Sequence, residues 1–389
     1  MRLAVLGGAG LTGQCIVRIL SASRDVEEVV VCDISREKLE KLSEQLDSGK
    51  IETFQVDVRD VEKTAKAVAG VDVVVNAVQY YFNLEVMKAA LKAGAHYLDL
   101  GGLYHMTLRQ LEFSQQFRDA GLAAIIGLGA QPGISNIMAR LACENLDKVT
   151  SITIRDGYRD LSASSGFRVT WSLQTLMDEM VMDAIIYEDG ELRAVPALSR
   201  WEEVSFPEPV GPMRTYVTIH SEVATLPTSF RDKGLRRCDW MEGGEDLLKL
   251  KFLADLGFGL TEIEAAGSKL RPRAFLADLL ESRGLVGYSS GETPNDWEVT
   301  RVVVEGERLG ARSVWVLDAV IPPKPEWGMS CSQYGVGVPA ALGALMLAGG
   351  EIEGSGVLPP ERCVDPQKFI ERLGKYGVKV RLNRSEDLN

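Results

Sequence analysis

Read for apolar and polar positions, the first third of the chain alternates short, uniformly apolar runs with helical stripes. Leu3-Ala4-Val5-Leu6 opens the series and Val29-Val30-Val31-Cys32 follows, with further strands expected at residues 52–56, 71–75, 97–100 and 123–126. Helices are predicted between them over residues 11–21, 35–46 (leucines at 39, 42 and 46), 61–69 behind Asp60, 84–93 and 107–120. Strands without a polar face belong in a parallel sheet covered on both sides, so this pattern predicts a doubly wound α/β half-molecule of the Rossmann type.

After the turn at residues 127–133 and a helix at 134–144 the alternation breaks. Period-two patterning predicts strands at 149–154, 168–171, 213–223, 297–305 and 311–321, with helices at 173–184 and 246–256 and a hairpin turn at 305–310. This is the pattern of an α+β domain with a mostly antiparallel sheet. An apolar helix at 338–347 and a last helix starting at Pro366, capped by Asp365, close the chain. Along 214–223 the alternation puts Tyr216, Thr218, His220 and Glu222 on one face and Val217, Ile219 and Val223 on the other. That polar face reads equally as the floor of a polar pocket or as a solvated surface.

Size and charge narrow the picture. A chain of 389 residues exceeds one compact core and predicts two domains. Its 46% apolar and 25% charged residues suit a soluble globular protein, and its net charge of −12 argues against a nucleic-acid surface. The six cysteines (Cys15, Cys32, Cys143, Cys238, Cys331 and Cys363) form no C-x-x-C pair and meet no histidine at zinc-ligand spacing, so reduced structural thiols and no metal site are expected. Met1-Arg2 leads straight into the first strand, leaving no room for a signal peptide, and no apolar run approaches membrane-spanning length. A cytoplasmic protein with no membrane partner is therefore expected.

The chemistry begins in the turn Gly7-Gly8-Ala9-Gly10-Leu11-Thr12-Gly13, directly after the first strand. Gly8, Gly10 and Gly13 fit the G-x-G-x-x-G spacing, in which the glycines make the tight turn, admit a pyrophosphate and let helix and strand pack. Leu11 and Thr12 start the helix whose N-terminus would hold the phosphate. Asp33 ends the second strand twenty residues after Gly13, where an acid accepts from the ribose hydroxyls and repels a 2′-phosphate. The expected cofactor is NAD, with NADP left open because Arg36 lies close enough to pair with a 2′-phosphate. Asp57-Val58 ends the third strand, where adenine is bordered in this fold, and Asn76-Ala77 ends the fourth, at the edge where ligands bind. Tyr80, Asp99 and Gln131 come from three successive loops on that edge and are candidates to touch a substrate, although each also reads as a structural residue.

The combination of Gly8 to Gly13, Asn76-Ala77 with Tyr80, Phe82 and Asn83, Asp99-Leu100-Gly101-Gly102, and Gly129-Ala130-Gln131-Pro132-Gly133-Ile134-Ser135-Asn136 resembles the saccharopine dehydrogenase-like family, and within it the L-lysine 6-dehydrogenases. The likeness continues through Trp171-Ser172 and Ile186 to Gly190, and ends at Gly356-Val357-Leu358-Pro359-Pro360-Glu361. It implies a homodimer in which a Rossmann domain (1–127) is completed by the C-terminal segment (338–389), and a catalytic and dimerisation domain (128–337) supplies the active-site floor. It also implies NAD(P)-dependent oxidation or reduction of a C–N bond in an amino-acid substrate, bound by Gln131, Asn136, Trp171 and Glu222. Such chemistry needs a base, because hydride leaves carbon only beside an unprotonated nitrogen. Asp99 and His220 are the candidates, with Tyr80 placed to hydrogen-bond the amine.

Two positions depart from the pattern. Gln131 stands where saccharopine-forming enzymes carry an acid, and Gly127 where lysine-specific ones tend to. The alternatives are a carboxynorspermidine- or carboxyspermidine-type imine reductase and, in another class, a non-catalytic redox sensor that binds NAD(P). Short-chain dehydrogenase chemistry is not expected, since no Tyr has Lys four residues later.

Overall fold

The computed structural model describes residues 1–46, 48–162, 167–265, 267–288 and 291–387. The chain divides into two units, one comprising Met1–Glu144, Ala224–Ser229 and Gly335–Gly377, the other Asn145–Val223, Phe230–Tyr334 and Val378–Asn389.

In the first unit, β1 (Arg2–Leu6), β2 (Glu28–Asp33), β3 (Ile51–Gln55), β4 (Val73–Asn76), β5 (His96–Asp99) and β6 (Ala123–Ile125) form a parallel sheet with a seventh strand, Gly356–Leu358. The order is Gly356–Leu358, β6, β5, β4, β1, β2, β3, so the direction of winding reverses between β1 and β4. Leu3, Val5, Val30, Val74 and Leu98 are fully buried, as strands covered on both faces require. The helix Gly13–Ala22 turns Cys15, Ile16, Ile19 and Leu20 inward, and Asp60 caps the helix Val61–Ala67 by accepting from the Lys63 N–H. The helix expected at 107–120 is two helices, Leu103–Leu111 and Ser114–Asp119.

The helix Cys331–Ala348 corrects the sequence reading of apolar runs. It is long and apolar enough to cross a membrane by length and composition, and it is mostly buried as a core helix. Its small residues explain how: a Cβ on Gly337 would strike Cys15, and one on Gly343 would strike Leu128, so close packing excludes larger side chains.

The second unit holds a nine-stranded sheet. Its strands are β7 (Lys148–Asp160), β8 (Ala184–Glu188), β9 (Glu191–Val195), β10 (Trp201–Ser205), β11 (Pro212–Val217), β12 (Arg237–Gly244), β15 (Asp296–Arg308), β16 (Ala311–Ile321) and the last strand, Lys379–Glu386; β13 (Ile263–Ala265) and β14 (Ser268–Leu270) pair separately. The main path runs β10, β11, β12, β7, β15, β16, last strand, with β8 on β12 and β9 on β8. The sheet is mixed rather than simply antiparallel, because β12 runs parallel to β7. The last strand pairs with β16, so the C-terminal segment of the first unit stops at Gly377 and does not extend to the end of the chain. Between β15 and β16 the hairpin turns on Leu309 and Gly310, both at positive φ, as a two-residue turn requires. Residues 168–171 contribute only a bridge from Val169 to Val286.

Candidate cofactor and substrate sites

The glycine turn is built for close backbone packing. A Cβ on Gly13 would run into the Gly7 carbonyl, whereas one on Gly10 would meet only that carbonyl, at 3.1 Å, and otherwise open space. Gly10 N–H donates to the Gly7 carbonyl at 3.0 Å and Ala9 N–H to Asp33 Oδ2 at 3.2 Å. Among the described residues, no protein acceptor takes the N–H of Leu11, Thr12 or Gly13. Unclaimed donors at a helix start, next to a residue without a side chain, are what a pyrophosphate needs, so these residues fit a dinucleotide. Asp33 Oδ1 accepts from Ser35 N–H at 3.0 Å, which holds the carboxylate at the end of β2. Arg36 is engaged by Glu40 at 2.8 Å on an exposed helix face. A groove lined by Ile34, Gln55, Asp57 and Arg59 opens beside β3, where the adenine was expected. Asp57 is gripped there by Arg59, whose hydrogen bonds hold its carboxyl below the usual range, and Val58 is buried.

Asn76 and Asp99 lie in a buried network instead of facing a ligand. Asn76 Nδ2 donates to Asn83 Oδ1 (2.9 Å) and Tyr97 Oη (3.1 Å), while Ala77 N–H donates to the Leu6 carbonyl (2.9 Å). Asp99 Oδ1 accepts from the N–H groups of Gly101 (2.9 Å) and Gly127 (2.7 Å); Oδ2 accepts from Tyr97 Oη (2.8 Å), Asn83 Nδ2 (3.4 Å) and Gln110 Nε2. Burial raises its pKa, and these donors oppose the rise. With both oxygens occupied and 1% exposure, Asp99 is a staple across the strand ends and not a base within reach of substrate. Asn136 is likewise structural: its Oδ1 accepts from Gly133 N–H (3.0 Å) and its Nδ2 donates to Glu361 Oε2 (2.9 Å). Glu361, from the Pro-Pro-Glu segment, also accepts from Ser229 Oγ at 2.8 Å. Tyr80 is buried against Tyr81, with ring centroids 4.3 Å apart, and Gln131 is partly buried at the turn before Pro132.

In the second unit the predicted pair forms, by a different route. β11 ends at Val217, and Glu222 is the first residue of the helix Glu222–Phe230, so the expected strand face through residue 222 does not exist. The turn between them still brings His220 Nδ1 into hydrogen bonding with Glu222 Oε2. The His220 ring stacks on Trp240, centroids 3.9 Å apart and 11° from parallel. Trp240 Nε1 donates to Thr218 Oγ1 at 3.1 Å. Trp171 sits instead against the apolar cluster of Leu173, Met177 and Leu276.

Sequence reading missed the carboxylates around this pair. Glu242 stands opposite Asp156 on neighbouring strands, and Asp156 opposite Thr300. Glu179, on the helix Leu173–Val181, is 1% exposed. Burial, then the charges of Glu242, Asp178, Glu222 and Asp156, push its carboxyl well above the usual range. Burial raises Glu242 too, while His220 and a hydrogen bond from Thr218 pull it back. The available signal was an acid set among apolar neighbours, as in Asp239-Trp240-Met241-Glu242, but such a pattern does not say which acids meet.

Comparison with known proteins agrees with this organisation. The saccharopine dehydrogenase NADP binding domain matches residues 3–125 and the saccharopine dehydrogenase C-terminal domain residues 129–378. A carboxyaminopropylagmatine dehydrogenase from Synechocystis sp. is 26% identical over 97% of this chain and 96% of its own length. A carboxynorspermidine synthase from Vibrio cholerae is 26% identical over 95% of this chain and 94% of its own length. Among solved structures, the apo L-Glu-forming saccharopine dehydrogenase from Saccharomyces cerevisiae shares the fold with a TM-score of 0.73, at 17% identity and 99% coverage of both chains.

Proposed function

The chain belongs to the saccharopine dehydrogenase family of NAD(P)-dependent oxidoreductases, and from that premise we propose that it reduces the imine of an amine and an amino-acid semialdehyde, giving a carboxylated secondary amine. The observation that carries this reading is the near full-length likeness to two proteins named for carboxylated polyamines. It takes precedence over oxidation of free lysine, the first reading of the sequence. The reaction balances as imine plus hydride plus proton: carbon takes the hydride, nitrogen the proton.

A nicotinamide held at the Gly8–Gly13 turn supplies the hydride when bound. The Leu11, Thr12 and Gly13 N–H groups would hold the pyrophosphate, and Asp33 would receive the ribose hydroxyls and favour NAD(H) over NADP(H). His220 hands the proton to nitrogen, and Glu222 on Nδ1 fixes the orientation of the ring. Tyr80 remains a candidate to hydrogen-bond the amine.

The test is a panel assay in which purified protein, NADH or NADPH, an amine and a semialdehyde are mixed and absorbance is followed. Cofactor oxidation that needs both organic substrates is expected. Reduction of NAD⁺ by lysine alone would overturn the reading, and tight cofactor binding without turnover of any pair would favour a sensor.

A further inference from the structure

In the second unit the helix Leu247–Leu253, continued through Ala254–Phe258, and the helix Pro272–Ser282 each carry apolar residues on two faces. Inward, Leu250, Ala254 and Leu276 join one buried cluster. A surface helix needs one such face, with polar residues opposite it. Here the outward positions are apolar too: Leu248, Phe252, Leu256 and Leu260 recur every four residues and are 50–63% exposed, while Phe275 and Leu279, four apart on the second helix, are 60% and 43% exposed. The two stripes are neighbours, because Arg273 donates from its backbone N–H to the Leu260 carbonyl at 3.2 Å and from Nε to the Gly259 carbonyl at 3.1 Å. Other exposed apolar residues, such as Leu192, Leu309 and Leu382, are spread over separate strands and turns, as on any protein surface. At roughly 180 Å² for each leucine or phenylalanine, the six exposures leave about 600 Å² of apolar surface bare, the top of the range for a patch on a lone chain. A standard interface takes about 800 Å² from each partner, and about 65% of it is apolar in homodimers, so the patch supplies what one side of a stable dimer needs. Charge points to the same occupant. Residues 246–283 hold six acids and six bases and carry no net charge, whereas the whole chain carries −12. Two copies repel over most of their surfaces and meet without that cost here, while a strongly acidic or basic partner finds no opposite field to bind.

We propose that this face docks a second copy of the chain through a two-fold interface, in which the 248–260 stripe with Phe275 and Leu279 meets the same face of the other protomer. Each copy brings apolar surface and balanced charge, so the face complements itself. Phe252 and Phe275 are its anchors, since large aromatic side chains carry a disproportionate share of interface energy. The proposal is independent of the reaction and of the cofactor.

Sedimentation velocity of the full chain over a range of concentrations tests the face. A monomer–dimer equilibrium with Kd at or below ~1 μM is expected of an interface of this size. Phe252→Glu and Phe275→Glu should each raise Kd at least about 100-fold while the melting temperature of the dilute protein stays at the wild-type value, since both side chains are exposed in the single chain. Leu192→Glu, at a comparably exposed apolar position on β9, should leave Kd within about threefold of wild type. Hydrogen exchange of the wild-type protein needs no substitution, and amides within 247–282 should slow as the chain is concentrated. A monomer at every concentration, a dimer that survives both glutamates, a dimer that Leu192→Glu dissociates, or slowed exchange confined to other segments would each overturn the face. Open-ended growth past the dimer would overturn its two-fold symmetry. Cosedimentation of the monomer with phosphatidylcholine vesicles, lost in Phe252→Glu, would give the patch to a lipid surface and overturn the second copy.

Discussion

Asp99 in the first unit and Glu179 in the second are both 1% exposed, yet five donors surround Asp99, while one oxygen of Glu179 has none. Glu361 repeats the first case, with donors from Asn136 and Ser229. Glu242 repeats the second. Desolvation is similar in all four, and the difference lies in what the fold returns for it. Where the protein supplies donors, the carboxylate ties loops to strand ends and its removal harms the fold. Where it does not, the unmatched carboxyl oxygen is a cost to the fold that the protein leaves unrepaid. This contrast separates the two kinds of buried acid more sharply than burial or a raised pKa, which they share.

The contrast breaks most visibly at Asp99. Asp99→Ala leaves buried donors of Tyr97, Gln110, Gly101 and Gly127 unmatched, and a loss of about 4 kcal/mol in urea unfolding is expected. An unchanged midpoint would remove the structural half of the comparison. At the other pole, His220 has an acid for its orienting partner, and His220→Asn should lower kcat/KM about 100-fold with cofactor binding retained. A change within about threefold would clear His220 of the proton transfer.

Asp33 lies between the extremes, half-buried and holding two backbone N–H groups. Asp33→Asn keeps one acceptor oxygen for these N–H groups and deletes the charge, so the ratio of NADH to NADPH efficiency should fall about tenfold, ~1.4 kcal/mol. The smallest effect is on the stability of Glu179→Gln. Its carboxyl, raised by burial and by Glu242, Asp178, Glu222 and Asp156, stays protonated in the folded chain above the pH where the unfolded chain releases its proton. The folded state therefore binds more protons, and wild-type stability falls as pH rises from about 4.3, the unfolded carboxyl value. Glutamine escapes this loss, so the variant should gain on the order of 1 kcal/mol over wild type at pH 8 and nothing near pH 4, read as the difference in melting curves. A difference independent of pH would mean that Glu179 is not held in this way.

Local pattern made the first unit legible. Each of its strands is a short apolar run and its phosphate turn is contiguous, so β1, the turn and the helix Gly13–Ala22 follow from neighbouring residues. The caps at Asp60 and Asp365 were legible for the same reason, each accepting from the N–H three residues on. Legibility stopped at the loops: Asp99 and Asn136 stood at positions that suggested substrate contact, and nothing in their spacing announced the donors that claim them.

By itself the sequence determined the alternating architecture, the dinucleotide turn, Asp33 and the membership that the comparisons show, because these depend on residues within about one turn or strand of each other. Only the tertiary structure decided that β12 lies parallel to β7, that the last strand leaves for the second sheet, and that Glu242 and Asp156 stand side by side across 86 residues of chain. The reason is physical. Strand register and helix docking minimise exposed apolar area over the whole unit, and a polar side chain is carried wherever that optimum takes its backbone.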